Sequence, residues 1–339
     1  MSAALAPLTT LRLGGPARRL VAVDTEDELV AAVRAADAAD EPLLVLSGGS
    51  NVVIADAGFA GTVVHVRTRG IRREDAALHV QAGEPWDALV ARTVEAGLQG
   101  FECLSGIPGS TGATPVQNVG AYGQEVAETV TSVRVLDRAT GAVETLPAAA
   151  CGFEYRRSIF KHDPRRIVLE VAFALREQGE SGPLRYAELA RALDVGVGGA
   201  APLGDVRDAV LALRRRKGMV IDPDDPDSVS AGSFFTNPIL THADFDALAA
   251  RTPESPPVFP EPDGRVKTSA AWLIERAGFG RGFGVGPVGI STKHTLALVN
   301  RGGARTADLV ALARQIAGGV ERRFGVELVP EPVFVGHEW

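Results

Sequence analysis

Residues 105–126, S-G-I-P-G-S-T-G-A-T-P-V-Q-N-V-G-A-Y-G-Q-E-V, constrain the fold more than any other part of the chain. Gly106, Gly109, Gly112, Gly120 and Gly123 deny the segment both the periodicity of a helix and the side chains of a central strand. Pro108 and Pro115 remove freedom that the glycines add, so a long loop with one shape is expected. Glycine leaves backbone N–H groups uncovered, and a row of bare amides suits a phosphate. From the residues alone a turn-rich surface loop is the alternative, because a glycine run is a weak motif.

A chain of 339 residues, 45% hydrophobic, has enough material for two or three packed domains. No run approaches the roughly eighteen apolar residues of a membrane span, and the N-terminus lacks a basic-then-apolar leader, so a cytoplasmic protein is expected. Cys103 and Cys151 are the only cysteines. They are too few for a disulfide framework or a thiolate metal site and read as reduced core residues, with no metal expected. A net charge of −7 argues against nucleic acid as the main partner. It leaves room for an anionic small ligand held by a local basic cluster.

The first part of the chain alternates helix and strand. Thr25 caps a helix whose first turn is acidic and whose stripe is Leu29, Val33 and Ala36. Strands are expected at 43–46, 52–54, 62–66 and 78–81, with a helix from Pro85 through Leu98. The turn 47–51, S-G-G-S-N, follows a strand, where ligands commonly sit in α/β folds. A hairpin is expected over 133–136 and 142–146, then a strand at 167–175 and a helix from Val206 to Lys217. The acidic stretch 222–227 reads as a domain junction. Helices at 243–250, 267–277 and 306–324 and strands at 295–300 and 326–335 complete the pattern.

Gly284, Gly286 and Gly289 fit G-x-G-x-x-G, but Pro287 interrupts them and neither an apolar strand nor a helix pattern flanks them. Residues 278–289 therefore read as a loop and not as a dinucleotide fingerprint. Ser233, in A-G-S-F-F-T-N-P, is set on a constrained turn beside two phenylalanines, where its hydroxyl serves either as a proton donor or as a cap for a neighbouring amide. No nucleophile elbow surrounds it.

Five motifs then occur in a fixed order: S-G-G-S-N, G-I-P-G-S-T-G-A-T-P-V-Q-N-V-G-A-Y-G, Y-R-R-S-I-F-K, G-S-F-F-T-N-P and L-V-P-E-P-V-F-V-G. In this the chain resembles the UDP-N-acetylenolpyruvoylglucosamine reductase family, in the subtype that carries a tyrosine loop. T-T-L-R-L-G-G-P-A near the N-terminus and S-T-K-H-T-L-A-L-V-N at 291–300 extend the resemblance over essentially the whole length.

The resemblance implies a mixed α/β fold, an FAD-binding fold of the vanillyl-alcohol-oxidase type with an added C-terminal substrate-binding domain. Its parts would be 1–68 completed by 328–339, then 69–221, then 222–327. It implies FAD, NADPH as hydride donor, and reduction of UDP-N-acetylenolpyruvoylglucosamine to UDP-N-acetylmuramate, a peptidoglycan precursor; with no histidine in the turn 47–51 to tether the flavin, noncovalent FAD is expected. Hydride goes to C3 of the enolpyruvyl ether and a proton to C2. A monomer is expected.

By the same resemblance Arg156 and Glu331 polarise the substrate carboxylate and Ser233 delivers the proton. A guanidinium grips a carboxylate with two parallel bonds, and Pro330 and Pro332 fix the backbone around Glu331. Phe234 and Phe235 would shield the serine. Tyr186 is the loop tyrosine, and Lys217, Asn237 and Lys293 are candidate diphosphate ligands. The acidic stretch lengthens the link between Lys217 and Ser233 relative to the family pattern, which weakens the Lys217 assignment. The flavin pyrophosphate is placed against Ser47, Gly48, Gly49, Ser50 and Asn51 and against Gly109, Ser110, Thr111 and Gly112. Gln117, Asn118, Gly120, Ala121, Tyr122 and Gly123 would continue toward the isoalloxazine. Another oxidase of the same flavin fold has no need of Arg156, Ser233 and Glu331, and a nonenzymatic UDP-sugar sensor would be colourless.

Overall fold

Thr25 opens the first helix with a reciprocal pair of bonds: the Glu28 amide donates to Thr25 Oγ1 and the Thr25 amide to the Glu28 carboxylate, both at 3.2 Å. Such a cap contributes about 1 kcal/mol, and the helix Glu26–Ala38 buries Leu29, Val33 and Ala36 as its stripe requires. The computed structural model describes residues 3–74 and 77–339. Contacts divide the chain into two units, one built mainly of Ala17–Gly49 and Phe59–Arg216, the other of Ala4–Pro16, Ser50–Gly58 and Lys217–Trp339.

In the first unit Phe59–Val66 lies between Pro16–Val23 and Leu43–Leu46, parallel to both. A second, antiparallel sheet runs in the order Val143–Pro147, Val130–Asp137, Arg166–Ala174, Ala77–Gln81, Ile71–Glu74. The first helix joins the two sheets through one core: Leu29 and Val33 pack with Val64 and Val66 and with Leu136 and Leu169. On the antiparallel sheet's other side Trp86 and Phe173 each meet Phe101, with centroids 4.8 and 4.9 Å from it.

In the second unit Ala297–Asn300 pairs on one side with Ser230–Ser233 and on the other with Val288–Ile290. The helix Thr306–Phe324 buries eight residues, seven of which, among them Leu309, Ile316 and Val320, share one core with Ile290 and Leu298 of this sheet. Its N-terminus is held by Asp56, whose carboxylate accepts from the Thr306 and Ala307 amides at 2.7 and 3.0 Å, a favourable place for negative charge. Val333–Val335 pairs in parallel with Val52–Ile54.

Several expected elements are shorter than their apolar runs. The helix after Pro85 covers Trp86–Glu95 and stops before Leu98, because Gly97 takes φ 70° and Leu98–Gln99 turns into a strand. The helix expected over 267–277 is Ala270–Arg276: Lys267 belongs to the strand Val266–Lys267, and Ser269 accepts from the Trp272 amide as the cap. Of the strand expected over 326–335 only Val333–Val335 forms, since Pro330 and Pro332 have no N–H for a ladder. The 278–289 run stays irregular until Val288, where a strand begins. The acidic stretch is folded onto residues 292 and 293: Thr292 donates to Asp227 through its amide at 2.9 Å and its hydroxyl at 2.5 Å, and Lys293 pairs with Asp225 at 2.8 Å. Among the described residues no helix is long and apolar enough to cross a membrane.

Candidate active site

The two glycine turns of the first unit meet. A Cβ on Gly48 would lie 2.5 Å from Gly109 Cα, so only glycine allows this approach, and Gly49 takes φ 55° beside it. The Gly109 carbonyl accepts from the Trp86 amide at 3.1 Å, and the Thr111 and Gly112 amides donate to the Glu84 and Ala82 carbonyls, both at 2.8 Å. Backbone bonds thus tie the loop to its neighbours, and it does not present a full row of bare amides. Thr111 and Gly112 spend theirs on the neighbouring chain, and the Thr111 and Ser47 hydroxyls donate to the Glu84 and Val66 carbonyls at 3.1 and 3.0 Å. The Gly109 and Ser110 amides lie outside these bonds. Ser110 Oγ is buried with no hydrogen-bond partner among the described residues. An orphaned hydroxyl beside a glycine–glycine contact is what an anionic ligand would satisfy, so the donor set fits a phosphate.

Farther along, alternate residues of the loop bind one basic segment. Ser158 Oγ donates to the Val116 carbonyl at 2.7 Å, Asn118 Nδ2 to the Glu154 carbonyl at 3.1 Å, and Arg156 Nη2 to the Gly120 carbonyl at 2.7 Å. Glu154 and Arg157 close a tight turn with reciprocal backbone bonds of 3.0 and 3.2 Å, and Arg156 sits within it at φ 55°. Its guanidinium also lies over the Tyr155 ring, 5.2 Å from the centroid. Gln117 alternates with these bonding residues. Gly120–Ala121 pairs with Gln124–Glu125 in a small hairpin turned by Tyr122 and Gly123, both at positive φ. Tyr186, 43% exposed, meets the Tyr122 ring edge-on at 5.3 Å. Tyr186 is thereby seated on the hairpin, a contact that no local sequence signal announces.

In the second unit Ser233 ends the strand Ser230–Ser233, half-buried, after Gly232 at φ 73°. Phe234 and Phe235 follow it along the chain. They are 0% and 1% exposed, meet edge-on with centroids 5.2 Å apart, and anchor the strand in the core beside Trp339. The Phe234 amide donates to Leu296 and its carbonyl accepts from the Glu331 amide at 2.8 Å, while Phe235 and Pro330 form an antiparallel bridge. Asn51 accepts from the Val333 amide at 3.0 Å and donates through Nδ2 to the Glu331 carbonyl at 3.3 Å. Asn51 thus holds the Glu331 segment, and Ser50 begins the same stretch of this second unit.

The candidate diphosphate ligands already have partners within the protein. Asn237 Oδ1 accepts from the Ala270 amide at 3.0 Å and so caps a helix. Lys293 is exposed and paired with Asp225, whose hydrogen bond holds the ammonium pKa above its ordinary value. Lys217 is half-buried just past the helix Leu203–Arg216. The structure therefore brings Ser233 together with Glu331, and Arg156 together with Gly120, each within its own unit.

Comparison with known proteins places the chain among the flavoprotein oxidoreductases. Residues 17–147 match the FAD binding domain, and residues 224–335 match the UDP-N-acetylenolpyruvoylglucosamine reductase C-terminal domain. The chain is 58% identical over 343 residues to UDP-N-acetylenolpyruvoylglucosamine reductase of Thermobifida fusca, covering 98% of this chain and 96% of that one. It is also 58% identical to the enzyme of Streptomyces coelicolor over 98% of this chain and 89% of the other. The crystal structure of the Thermus caldophilus reductase superposes with a TM-score of 0.68 at 28% identity, covering 99% and 98% of the two chains. The chain belongs to the UDP-N-acetylenolpyruvoylglucosamine reductase family. Its mixed α/β fold joins an FAD-binding domain to that family's C-terminal domain, as the motifs imply.

Proposed function

We propose that this chain reduces UDP-N-acetylenolpyruvoylglucosamine to UDP-N-acetylmuramate with NADPH in the cytoplasm, for peptidoglycan synthesis. The observation that carries the reading is the joining of Ser233 and Glu331 through Phe234, which sets a hydroxyl and a carboxyl group on adjacent segments of one scaffold. Noncovalent FAD supplies hydride transfer when bound. The turn at 47–51 contains no histidine or cysteine to tether it, and Gly48, Gly109 and Ser110 offer the cradle for its pyrophosphate.

The residues' work follows from the chemistry of the substrate. Adding hydride at C3 of an enol ether builds negative charge toward the adjacent carboxylate, so a cation and an acid aimed at that group lower the barrier. Arg156 supplies the permanent charge and Glu331 the acid, which requires a carboxyl group kept protonated in the complex. Ser233 then gives its hydroxyl proton to C2, and the oxygen left behind is reprotonated from solvent. Tyr186, Lys217, Asn237 and Lys293 are proposed to surround the diphosphate, with Tyr186 placed for it by Tyr122. The domains are proposed as 1–68 completed by 328–339, then 69–221 and 222–327; Val333–Val335 pairs with Val52–Ile54 of the first, while contacts group residues 50–58 with 217–339.

Incubating the yellow protein with NADPH and the enolpyruvyl UDP-sugar should give a product heavier by two hydrogen atoms, identified as UDP-N-acetylmuramate by mass and proton NMR. A flavin-replete preparation that returns the substrate unchanged would reject the proposal.

A further inference from the structure

Asn118 is the central one of the three loop residues that grip the Arg156 segment, and at 1% exposure the most deeply buried of the three. Its carboxamide is fully engaged. Nδ2 donates to the Glu125 carboxylate at 2.7 Å and to the Glu154 carbonyl at 3.1 Å, and Oδ1 accepts from the Ala127 amide at 3.1 Å. One side chain therefore joins the Gly120 hairpin, the turn Val126–Glu128 and the turn that carries Arg156.

That last turn needs support. Arg156 holds φ 55°, a region that side chains with a Cβ avoid, and surroundings must fix a residue that stays there. Lys161 Nζ donates to the Arg156 carbonyl at 3.3 Å, and the guanidinium donates to Gly120 at 2.7 Å, but the bond from Asn118 to Glu154 fixes the residue where the turn starts. Only an amide satisfies the site. A carboxylate there would face the Glu125 carboxylate and the Glu154 carbonyl, two acceptors, with no hydrogen to give.

We propose that Asn118 is the positioning residue for Arg156, its carboxamide fixing the turn from which the guanidinium reaches the substrate carboxylate. The inference rests on the role proposed above for Arg156. It gives Asn118 a task other than contact with flavin.

The test uses holoenzyme reduced anaerobically with NADPH and then mixed with the enolpyruvyl UDP-sugar. Asn118 itself has φ 45°, which glycine adopts freely and aspartate tolerates. Asn118→Gly and Asn118→Asp thus remove the donors without imposing a new backbone conformation. Both should slow flavin reoxidation by the sugar nucleotide at least about tenfold, mostly in the limiting rate and less in KM. Reduction by NADPH should lose clearly less than reoxidation does, and both variants should still purify with bound flavin. In an Arg156→Ala background, itself slow, Asn118→Gly should cost nothing further. The same fold-loss in both backgrounds, or flavin loss and slow NADPH reduction in both Asn118 variants, would overturn the inference. Normal reoxidation in Arg156→Ala alone would overturn the role of Arg156, and the inference with it.

Discussion

The amide of Glu331 donates to the carbonyl of Phe234 at 2.8 Å, which ties the proposed acid to the residue that follows the proposed proton donor. Because Phe234 is fully buried, the pair is anchored from below while Ser233 stays half-exposed. A rigid strand end holding one hydroxyl is a better proton donor than a mobile one, since near-attack geometry is set before the substrate arrives.

Ser233→Ala should therefore slow substrate-driven flavin reoxidation on the order of 10²-fold or more and leave reduction by NADPH nearly intact. Stopped-flow absorbance of the two half-reactions separates these effects. Equal losses in both would contradict the role.

Phe234→Ala removes a ring that is 0% exposed. It should cost about 3–5 kcal/mol of stability and lower the denaturant midpoint of the unit that contains it. A shift within error in chemical denaturation would show that the ring does not anchor the strand.

Gly48→Ala places a Cβ 2.5 Å from Gly109 Cα, so one of the two turns must move. The purified variant should be pale, with a lower ratio of flavin to protein absorbance, and should recover colour only at high added FAD. Full colour after gel filtration would remove this contact from the flavin site.

The Arg165 guanidinium beside Asp137, with bonds of 2.8 and 2.5 Å, pulls its carboxyl down from an ordinary 3.8 to about 2. A depressed carboxyl pKa stabilises the fold above the unfolded value and loses that contribution as pH falls through the folded one. Asp137→Asn should thus lower the melting temperature at pH 7, with the deficit shrinking below pH 3.8 and gone only below about pH 2. A deficit that is constant across that range would mean packing rather than charge.

Burial pushes the Cys103 thiol up to about 12 and the Cys151 thiol up to about 11. Neither should be alkylated by iodoacetamide at pH 8 in the native protein, while both should react after unfolding. Mass spectrometry of the alkylated protein reads the difference.

The parts of this molecule legible in its sequence are those whose causes are local. Thr25 with Glu28, and the apolar period of 306–324 ending at Gly325, marked helices at their observed first and last turns. The glycine run is legible as a loop, but the amides of Thr111 and Gly112 are claimed by Glu84 and Ala82, residues that no local pattern links to them. Ser230–Ser233 reads S-A-G-S and lacks the β-branched residues of a strand; it forms because Ala297–Asn300 lies beside it. The seat of Phe234 and Phe235 in the core is set by Leu296, Glu331 and Trp339, all distant in sequence. The grip of Asn118 on Glu154 and the seat of Tyr186 on Tyr122 are likewise long-range, and only the folded chain displays them.

The central claim is that the enolpyruvyl sugar nucleotide is the electron acceptor, and anaerobic titration tests it most directly. The yellow protein is reduced with NADPH, the enolpyruvyl UDP-sugar is added, and flavin absorbance is followed while product is assayed. The account predicts rapid return of oxidised flavin with UDP-N-acetylmuramate formed in equal amount. Reduced flavin that ignores the sugar nucleotide and reoxidises only when air is admitted would contradict it.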